Sequence, residues 1–460
     1  MQYDSYFFVG IAGTGMSALA QYVKGKGCKV AGSDRLFSDT TKQAMQVALE
    51  QQGIECFYQD GRGIDKNVAA VVISTAIEDK NVELRKARKL GIPVIKRSEL
   101  LAEISENSRT IAVAGTSGKS TTTAMIFEIL HDNGLAPSLI TGAPLSSLQQ
   151  RGLVGNAYGD TGEWLVIEAD ESDGSIVNYH PEISVLLNVE RDHKDEDELI
   201  ELFETFRDHT QRTFIVNDDY EQTRNLSQER SCDFGTRNKD VGFFGSDFVQ
   251  DGFSIRFKVN GIRCDIPMIG RHNMENALAA IAACYQAGVS IEKAISTLAK
   301  FGGIYRRSQT VGIIDDRNIC VIDDFAHNPS EVAAAIKACQ RLAPTVMACF
   351  FPHGFGPLRF MKDELAEEVS SVLRDKDYFF ITDVYYAGGT VDRDVEPDEV
   401  SEKIADEGKN ALFTGDKEST LLKIVETTPK DNAVVLIMGA RDPYLSDFAR
   451  KVYFELSTLW

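Results

Sequence analysis

One stretch of sixteen residues, TIAVAGTSGKSTTTAM, constrains the fold more than any other part of the chain. Its apolar start ends at Ala114, a short turn between two glycines follows, and Lys119 and Ser120 open a threonine-rich helix. The stretch matches the phosphate-loop pattern G-x-x-x-x-G-K-[ST] except at Val113, where the first glycine would stand. Backbone N–H groups and the positive end of a helix dipole would meet at this turn, which suits a phosphate. The stretch therefore predicts a strand, a nucleotide-binding loop with Lys119 on the phosphates, and a helix.

Two later segments place polar side chains where strands are predicted to end. WLVIEADESDGS puts Glu168 near the end of a strand, and ISVLLNVERDHKD puts His193 just beyond another. Because the carboxyl ends of parallel strands share one edge, we predict that Ser120, Glu168 and His193 hold magnesium beside the phosphates. Acidic residues are also common in exposed loops, where they contact water and bind no ligand. This alternative stays open for Glu171 and Asp195.

A second glycine turn lies near the N-terminus. In FFVGIAGTGMSALA, residues 13–18 satisfy G-x-G-x-x-[GA] between a predicted strand and a helix, and Asp34 follows about 20 residues later. This pattern predicts a diphosphate site beside an acceptor for ribose hydroxyls. NAD and a UDP-sugar both fit it, and the turn alone does not choose between them.

Strands and helical patterns alternate along almost the whole chain, which indicates parallel sheets with crossover helices. A polar break at 104–110 and a glycine-containing segment at 301–309 divide the pattern. We predict an α/β protein of three domains: a Rossmann-like domain at 1–107, a central P-loop ATPase-like parallel sheet at 108–303, and a Rossmann-like domain at 304–460.

Composition narrows the possible partners. With 49 basic and 69 acidic residues, the formal charge is −20, which disfavours nucleic acid and anionic membranes as partners. The eight cysteines form no C-x-x-C pair, so we do not expect a zinc site. Isolated cysteines are typical of proteins in a reducing compartment, and we expect one here. No signal peptide and no apolar run of about 18 residues is present, so we expect a cytoplasmic protein.

The motifs GIAGTGMSALA, AGTSGKSTTT, EADESDGS, NVERDH, GRHNMENALAA, DDFAHNPSE and LIMGARD occur in this order. In combination they resemble the Mur ligases, over a span from Val9 to Asp442. The resemblance implies ATP- and magnesium-dependent amide bond formation through an acyl phosphate, in the synthesis of peptidoglycan precursors. It also implies that the N-terminal domain binds a UDP-sugar, UDP-N-acetylmuramate, and that the partners are small molecules.

The resemblance assigns residues to four roles. The ATP site it implies consists of Gly115, Thr116, Ser117, Gly118, Lys119, Ser120, Thr121, Asn273, Asn276, Arg307, Asp323 and Asp324. The UDP-sugar site it implies consists of Gly13, Thr14, Gly15, Met16, Ser17, Asp34, Ser74, Thr75 and Ala76. Catalytic roles fall on Lys119, Glu168, His193 and His327, and metal binding on Ser120, Glu168 and His193. The resemblance places His327 and His353 at the amino-acid site, and we add Arg359, which departs from the family pattern, as a third residue there.

Within the family, the chain is most similar to the branch that adds L-alanine, with departures at the amino-acid site. Gly354 follows His353 where that branch has an arginine, and Arg359 lies two positions beyond the place of the second arginine. Asp208 stands near where later-acting relatives carry a carbamylated lysine, which argues against those relatives. L-alanine, another amino acid or a preformed peptide therefore stay open as the group that is added.

Two other classes of function remain as alternatives. The N-terminal glycine turn alone would fit an NAD-dependent oxidoreductase, and the phosphate loop alone would fit a nucleotide-binding regulator without activity. The presence of Lys119, Glu168 and His193 together favours the ligase. The sequence leaves open whether the protein is a monomer or a homodimer.

Overall fold

The computed structural model describes residues 1–171, 174–189, 196–386 and 393–458. It divides into two compact units. The first unit comprises residues 1–246, 258–264 and 275–304, and the second comprises 247–257, 265–274 and 305–460. Among the described residues, no helix combines the length and the apolarity that crossing a membrane requires.

The N-terminal sheet of the first unit is parallel, with strand order β3-β2-β1-β4-β5. Its strands are β1 (Ser5–Val9), β2 (Lys29–Asp34), β3 (Glu55–Tyr58), β4 (Ala70–Ile73) and β5 (Val94–Lys96). The helices are α1 (Thr14–Gly25), α2 (Ala44–Gln51), α3 (Val82–Leu90) and α4 (Arg97–Glu106). The order reverses direction between β1 and β4, and a doubly wound sheet binds ligands at the carboxyl ends of the strands on either side of that point.

The central sheet of the first unit has strand order β11-β10-β6-β9-β7-β8. Its strands are β6 (Arg109–Ala114), β7 (Ser138–Ile140), β8 (Ala157–Tyr158), β9 (Trp164–Glu168), β10 (Ile183–Leu186) and β11 (Thr213–Val216). All neighbouring strands are parallel except β7 and β8. β6 lies between β9 and β10 and is buried from its second residue onward, which explains its unbroken apolar sequence.

Further helices and a four-stranded sheet follow along the chain, and their residues within 247–257 and 265–274 belong to the second unit. The helices are α5 (Lys119–Asp132), α6 (Ser146–Gln150), a 3₁₀ turn (Ser175–Asn178), α7 (Glu196–Asp208), α8 (Glu221–Arg224), α9 (His272–Gln286) and α10 (Ile291–Leu298). A further sheet of order β12-β13-β14-β15 is formed by β12 (Phe234–Gly235), β13 (Phe243–Asp251), β14 (Ser254–Val259) and β15 (Ile262–Ile266). Buried and exposed residues alternate strictly along β14, as expected for a strand that has one face in the core and the other in solvent.

The second unit contains a sheet of order β16-β17-β21-β18-β19-β20, parallel except for β16. Its strands are β16 (Gln309–Ile314), β17 (Ile319–Asp324), β18 (Thr345–Phe351), β19 (Tyr378–Thr382), β20 (Asn410–Gly415) and β21 (Ala433–Gly439). Its helices are α11 (Pro329–Cys339), α12 (Phe355–Val372), α13 (Asp398–Asp406), α14 (Lys417–Thr427) and α15 (Leu445–Thr458). Every residue of β18 and β21 is buried, as expected for central strands covered on both faces.

The predicted α/β class with parallel sheets is confirmed. The polar break at 104–110 differs in detail from the expectation, because α4 continues to Glu106 and β6 begins at Arg109. The last turn of α4 buries Ile104 and Ser105, so this part of the break is packed rather than a linker. The boundaries at 107 and 303 remain a prediction.

Candidate active site

A cavity of about 630 Å³ lies at the carboxyl edge of the N-terminal sheet. Every strand of that sheet contributes a following residue to its lining: Gly13 and Gly15 after β1, Arg35 after β2, Gln59 after β3, Ser74 and Ala76 after β4, and Arg97 after β5. Its size is in the range of small-molecule sites. The predicted UDP-sugar residues Thr14, Met16 and Asp34 line it too.

The same cavity reaches residues of the central sheet. Thr141 and Gly142, which follow β7, line it, and so do Glu168 and Asp170 at the end of β9. The carboxyl edges of the two sheets in the first unit therefore face one shared space. A ligand bound along the N-terminal glycine turn can present its far end to Glu168.

Arg97 lies against the N-terminal glycine turn. A Cβ atom built on Gly15 would lie 2.9 Å from Nη1 of Arg97, which shows how closely the guanidinium approaches the turn. Arg97 begins α4 and lines the cavity, where a planar cation suits a diphosphate. Arg97 was not among the predicted site residues, and its only signal in the sequence is its place directly after a β-rich segment of the N-terminal domain.

Two of the predicted UDP-sugar residues, Asp34 and Ser17, form hydrogen bonds within the protein. The Asp34 carboxylate accepts hydrogen bonds from the backbone N–H groups of Ala12 (3.1 Å) and Leu36 (3.0 Å), and so fixes the turns after β1 and β2. Ser17 is fully buried, and its hydroxyl donates to the carbonyl oxygen of Thr14 at 3.0 Å. Neither Ser17 nor Thr75 lines the cavity.

A buried glutamate, Glu83, links helix α3 to strand β2 of this sheet. Glu83 of α3 is 0% exposed and accepts a hydrogen bond of 2.5 Å from the Ser33 hydroxyl in β2. Burial raises the pKa of Glu83 to about 7, although the Ser33 hydrogen bond opposes the shift.

The phosphate loop is built as the sequence predicts, with β6 ending at Ala114 and α5 beginning at Lys119. Gly118 has a φ of 84°, and a Cβ there would lie 2.4 Å from Oδ1 of Asn276, so only glycine fits. Asn188 fixes the turn, because its Oδ1 accepts from the Thr116 hydroxyl (2.9 Å) and the Ser117 N–H (2.8 Å). Asn188 follows β10 and was missed by the sequence analysis, which singled out later residues of NVERDH.

The Lys119 ammonium group makes three hydrogen bonds within the first unit. It donates to the carbonyl oxygen of Gly115 at 2.6 Å and to the two carboxylate oxygens of Glu171 at 3.1 and 3.0 Å. Burial alone would lower the pKa of Lys119, but the negative charges of Glu171 and Asp170 outweigh it and raise the pKa. Burial raises the pKa of Glu171, against the attraction of Lys119. Glu171 is only 3% exposed, so the alternative that it merely solvates a loop tip is wrong.

Glu168 is oriented by the loop after β7. Its Oε1 accepts hydrogen bonds from the Thr141 hydroxyl and, at 2.9 Å, from the Gly142 N–H. Ser120 lies in the first turn of α5 and is buried. A carboxylate and a hydroxyl are oxygen donors of the kind that magnesium prefers, so this donor set fits the ion. His193 and Asp195 lie outside the described residues.

Asn273 and Asn276 of the GRHNMEN motif occupy different compact units, Asn273 the second and Asn276 the first. The Asn276 Oδ1 accepts from the Thr122 hydroxyl of α5 at 3.3 Å. Asn273 is buried and donates to the carbonyl oxygen of Ile269 at 2.7 Å. Asn276 thus packs directly against the phosphate loop and its helix.

Asp323 and Asp324, both in the second unit, are engaged by the protein itself. Arg306 binds Asp323 through Nε at 3.0 and 3.2 Å, and the Ser446 hydroxyl donates to Asp323 at 2.7 Å. The Asp324 carboxylate accepts from the N–H groups of Ser308 (2.6 Å) and Ala326 (2.7 Å). These contacts make the aspartate pair an anchor for the segment around 306–308.

Arg307 has a different environment from Arg306. Its guanidinium lies 4.9 Å from the centre of the Phe325 ring and 3.9 Å from a carboxylate oxygen of Glu331, and its Nε is buried without a hydrogen-bond partner among the described residues. Arg306 and Ser308, on either side, have φ values of 57° and 49°, which is a strained conformation for residues other than glycine. The hydrogen bonds of Arg306 and Ser308 hold these strained conformations, and so fix the backbone of Arg307 between them.

The predicted amino-acid residues His327 and His353 lie together in the second unit, with ring centres 5.1 Å apart. The His327 Nδ1 lies 3.0 Å from a carboxylate oxygen of Glu331. Burial would raise the pKa of Glu331, but the charges of His327 and Arg307 lower it to about 2. Arg359 is an exposed residue that forms an ion pair with Asp394.

Comparisons with known proteins agree on the family. The model of the Mur ligase family, catalytic domain, matches residues 5–109, the Mur ligase middle domain matches 113–284, and the Mur ligase, glutamate ligase domain matches 306–441. The UDP-N-acetylmuramate–L-alanine ligase of Acetivibrio thermocellus is 32% identical over 456 residues, covering 95% of this chain and 93% of that protein. The chain belongs to the Mur ligase family.

Solved structures of Mur ligases have the same fold. The UDP-N-acetylmuramate–alanine ligase of Thermotoga maritima matches with a TM-score of 0.80 at 24% identity, covering 99% of this chain and 100% of that one. The murein peptide ligase of Psychrobacter arcticus matches with a TM-score of 0.68 at 23% identity, covering 99% of each chain. As a Mur ligase, this protein is an ATP-dependent ligase.

Proposed function

We propose that this Mur ligase joins L-alanine to the carboxyl group of UDP-N-acetylmuramate, with ATP hydrolysed to ADP and phosphate, in the synthesis of peptidoglycan precursors. The observation that carries the proposal is the shared cavity of the first unit. It joins the N-terminal glycine turn to Glu168, and β9, which ends at Glu168, is the direct neighbour of β6, which leads into the phosphate loop. A UDP-sugar along the turn brings its carboxyl end toward the nucleotide.

The chemistry needs positioning and charge neutralisation more than covalent work by the protein. The sugar carboxylate attacks the γ-phosphorus of ATP, giving an acyl phosphate and ADP. The amine of the amino acid then attacks the acyl carbon and expels phosphate. Lys119 neutralises the phosphate oxygens, Gly115–Thr121 bind the triphosphate through the backbone, and Arg97 binds the diphosphate of the sugar nucleotide.

Magnesium belongs to the proposal. Ser120, Glu168 and His193 would hold it, and it would supply positive charge beside the transferred phosphoryl group. Thr141 and Gly142 hold the Glu168 carboxylate in place. His193 is assigned from its motif, since it lies outside the described residues.

The remaining roles that we propose fall on residues of the second unit, except for that of Asn276, which belongs to the first. Arg307 contacts phosphate, Asp323 and Asp324 maintain the segment that carries it, and Asn273 and Asn276 lie near the adenine. His327 and His353 face the incoming amino acid. We further propose that the protein acts in the cytoplasm, where ATP and UDP-sugars are found, on small-molecule substrates as a monomer or a homodimer. We place the domain boundaries at 107 and 303.

A preformed peptide or another amino acid is a second candidate for the group that is added. Gly354 stands where the alanine-adding branch has an arginine, and the nearby Arg359 is paired with Asp394. An arginine in that pair is a weaker partner for the carboxylate of an amino acid.

The test is a phosphate-release assay with ATP, magnesium and UDP-N-acetylmuramate, to which each of the twenty amino acids and short muropeptides is added singly. We expect release that requires both the sugar nucleotide and L-alanine. Release with another amino acid or a peptide alone would support the second candidate. A parallel binding experiment adds a reduced nicotinamide nucleotide. Quenching of its fluorescence, together with no phosphate release in the assay, would contradict both candidates.

A further inference from the structure

Glu171 is a buried side chain that the proposed reaction does not use. It follows the strand end that carries Glu168, but its carboxylate contacts the Lys119 ammonium group of the phosphate loop at 3.0 Å. The Glu171 side chain is 5% exposed and the Lys119 side chain is 16% exposed. A buried ion pair of this kind costs much desolvation free energy and is weak evidence for stability, which favours a functional role for it.

The donors of Lys119 are fully used. A lysine ammonium group has three N–H donors and no acceptor. Here one contact goes to the carbonyl oxygen of Gly115 and the other two go to the carboxylate of Glu171. A nucleotide phosphate can bind Lys119 directly only if it replaces at least one of these acceptors.

Glu171 is the acceptor that a phosphate would replace. The Gly115 carbonyl belongs to the backbone of the loop itself, whereas the Glu171 carboxylate is the end of a side chain with three rotatable bonds. The carboxylate and a phosphate are both anions, so they compete for one cation and repel each other when both are near it.

We propose that Glu171 is a positioning residue that competes with the nucleotide phosphates for Lys119. It keeps the ammonium group at the mouth of the loop, and it weakens the binding of ATP and of the product ADP. The inference rests on the proposed role of Lys119 in binding a nucleotide phosphate. It makes no assumption about which amino acid is added.

The experiment measures the affinity of ADP and of a non-hydrolysable ATP analogue, without sugar nucleotide or amino acid, by calorimetry on the full chain. Glu171→Gln keeps the shape of the side chain and removes the competing charge, so we expect binding of both nucleotides to tighten about three- to tenfold. Glu171→Asp keeps the charge but shortens the reach, and it should show a smaller gain. Unchanged or weaker binding in these variants would overturn the proposal.

A double-mutant cycle separates competition from a merely structural role. In a Lys119→Ala background, Glu171→Gln should tighten the binding of ADP clearly less than in the wild-type background, because the contested cation is gone and only the direct repulsion between carboxylate and phosphate is relieved. An equal gain in both backgrounds would overturn the proposal. Glu128→Gln is the matched control, because Glu128 is a partly buried carboxylate of α5 that accepts a hydrogen bond from Ser147. The affinity of this variant for ADP should equal that of the wild type.

Steady-state kinetics give an independent readout, with a lower KM for ATP in Glu171→Gln and an unchanged KM for the sugar nucleotide. A change in both KM values would indicate a general disturbance of the first unit and overturn the specific role. Failure of the wild-type protein to bind ADP at all would instead contradict the proposed function. The two failures are therefore distinguishable.

Discussion

The first unit contains two glycine turns that are alike in sequence and different in chemistry. Each follows a buried strand and opens a helix, one between β1 and α1 and the other between β6 and α5. At the first turn the cation Arg97 lies against the backbone, comes from a distant part of the chain and lines the cavity. At the second turn the cation, Lys119, belongs to the turn itself and is held by Glu171. In the function that we propose, the same backbone design therefore binds a diphosphate that stays intact at one turn and a triphosphate that loses its terminal phosphoryl group at the other.

The largest expected effect comes from removing the cation of the second turn. Lys119→Ala should lower turnover by about a thousandfold or more, because charge on the transferred phosphoryl group is then not neutralised. The affinity for the sugar nucleotide should stay within about twofold of the wild type, as judged by calorimetry. An equal loss of sugar-nucleotide binding would show that the two turns are not separate sites. Lys423→Ala, at an exposed ion pair of α14, is the control.

Glu168 tests the region where the two turns share a cavity. Glu168→Gln should lower kcat about a hundredfold and raise the magnesium concentration needed for half-maximal activity, since a carboxylate ligand is lost. The assay is a magnesium titration of phosphate release. Full activity with an unchanged titration would remove Glu168 from the metal site. Glu163→Gln, an exposed residue just before β9, should behave as the wild type.

Removing the cation of the first turn should have a more selective effect. Arg97→Ala should weaken the binding of UDP-N-acetylmuramate about tenfold, which corresponds to about 1.4 kcal/mol, because a charged contact to the diphosphate is lost. The affinity for ADP should not change, and calorimetry with each ligand measures both. Weakened ADP binding would contradict the separation of the turns. Arg88→Ala, at an exposed ion pair with Asp79, provides the comparison.

Replacing one glycine of each turn by alanine compares the backbones of the two turns directly. Gly118→Ala requires a positive φ and places Cβ against Asn276, so it should destabilise the protein by about 1–3 kcal/mol. In Gly15→Ala the new Cβ meets only the end of the flexible Arg97 side chain, and alanine favours the helix, so stability should change by less than about 1 kcal/mol. Thermal unfolding of both variants measures the difference. A larger loss for Gly15→Ala would contradict the description of the two turns.

A further effect concerns pH and the sheet that carries the first turn. The pKa of Glu83 rises from 4.5 to about 7 on folding, so between these values the folded state holds a proton that the unfolded state has lost. This contribution to stability is present below pH 4.5 and is lost as the pH rises toward 7. Glu83→Gln mimics the protonated acid, so its melting temperature should gain on the wild type between pH 5 and pH 8. A difference that does not vary with pH would contradict the shift.

The sequence predicts the elements of both turns well and their side-chain partners poorly. β1, β6 and β9 are apolar runs ended by glycine or acidic residues, so periodicity and turn chemistry are enough to find them. Arg97 and Asn188 reach the turns only because parallel strands bring distant loops to one edge. Among adjacent pairs such as Arg306 and Arg307, the sequence does not say which binds Asp323, because the choice depends on the strained backbone there. Likewise, the burial of Glu171 depends on tertiary packing that no local pattern records.

The placement of at least one cavity-lining residue after each of the five N-terminal strands has a consequence for how this protein can diversify. Each of these loops can change independently, because the strands that hold them are paired through backbone hydrogen bonds and not through the loop side chains. Selectivity for the base, the sugar or the diphosphate could therefore be altered by natural variation in one loop at a time, while the catalytic edge of the neighbouring sheet is inherited unchanged.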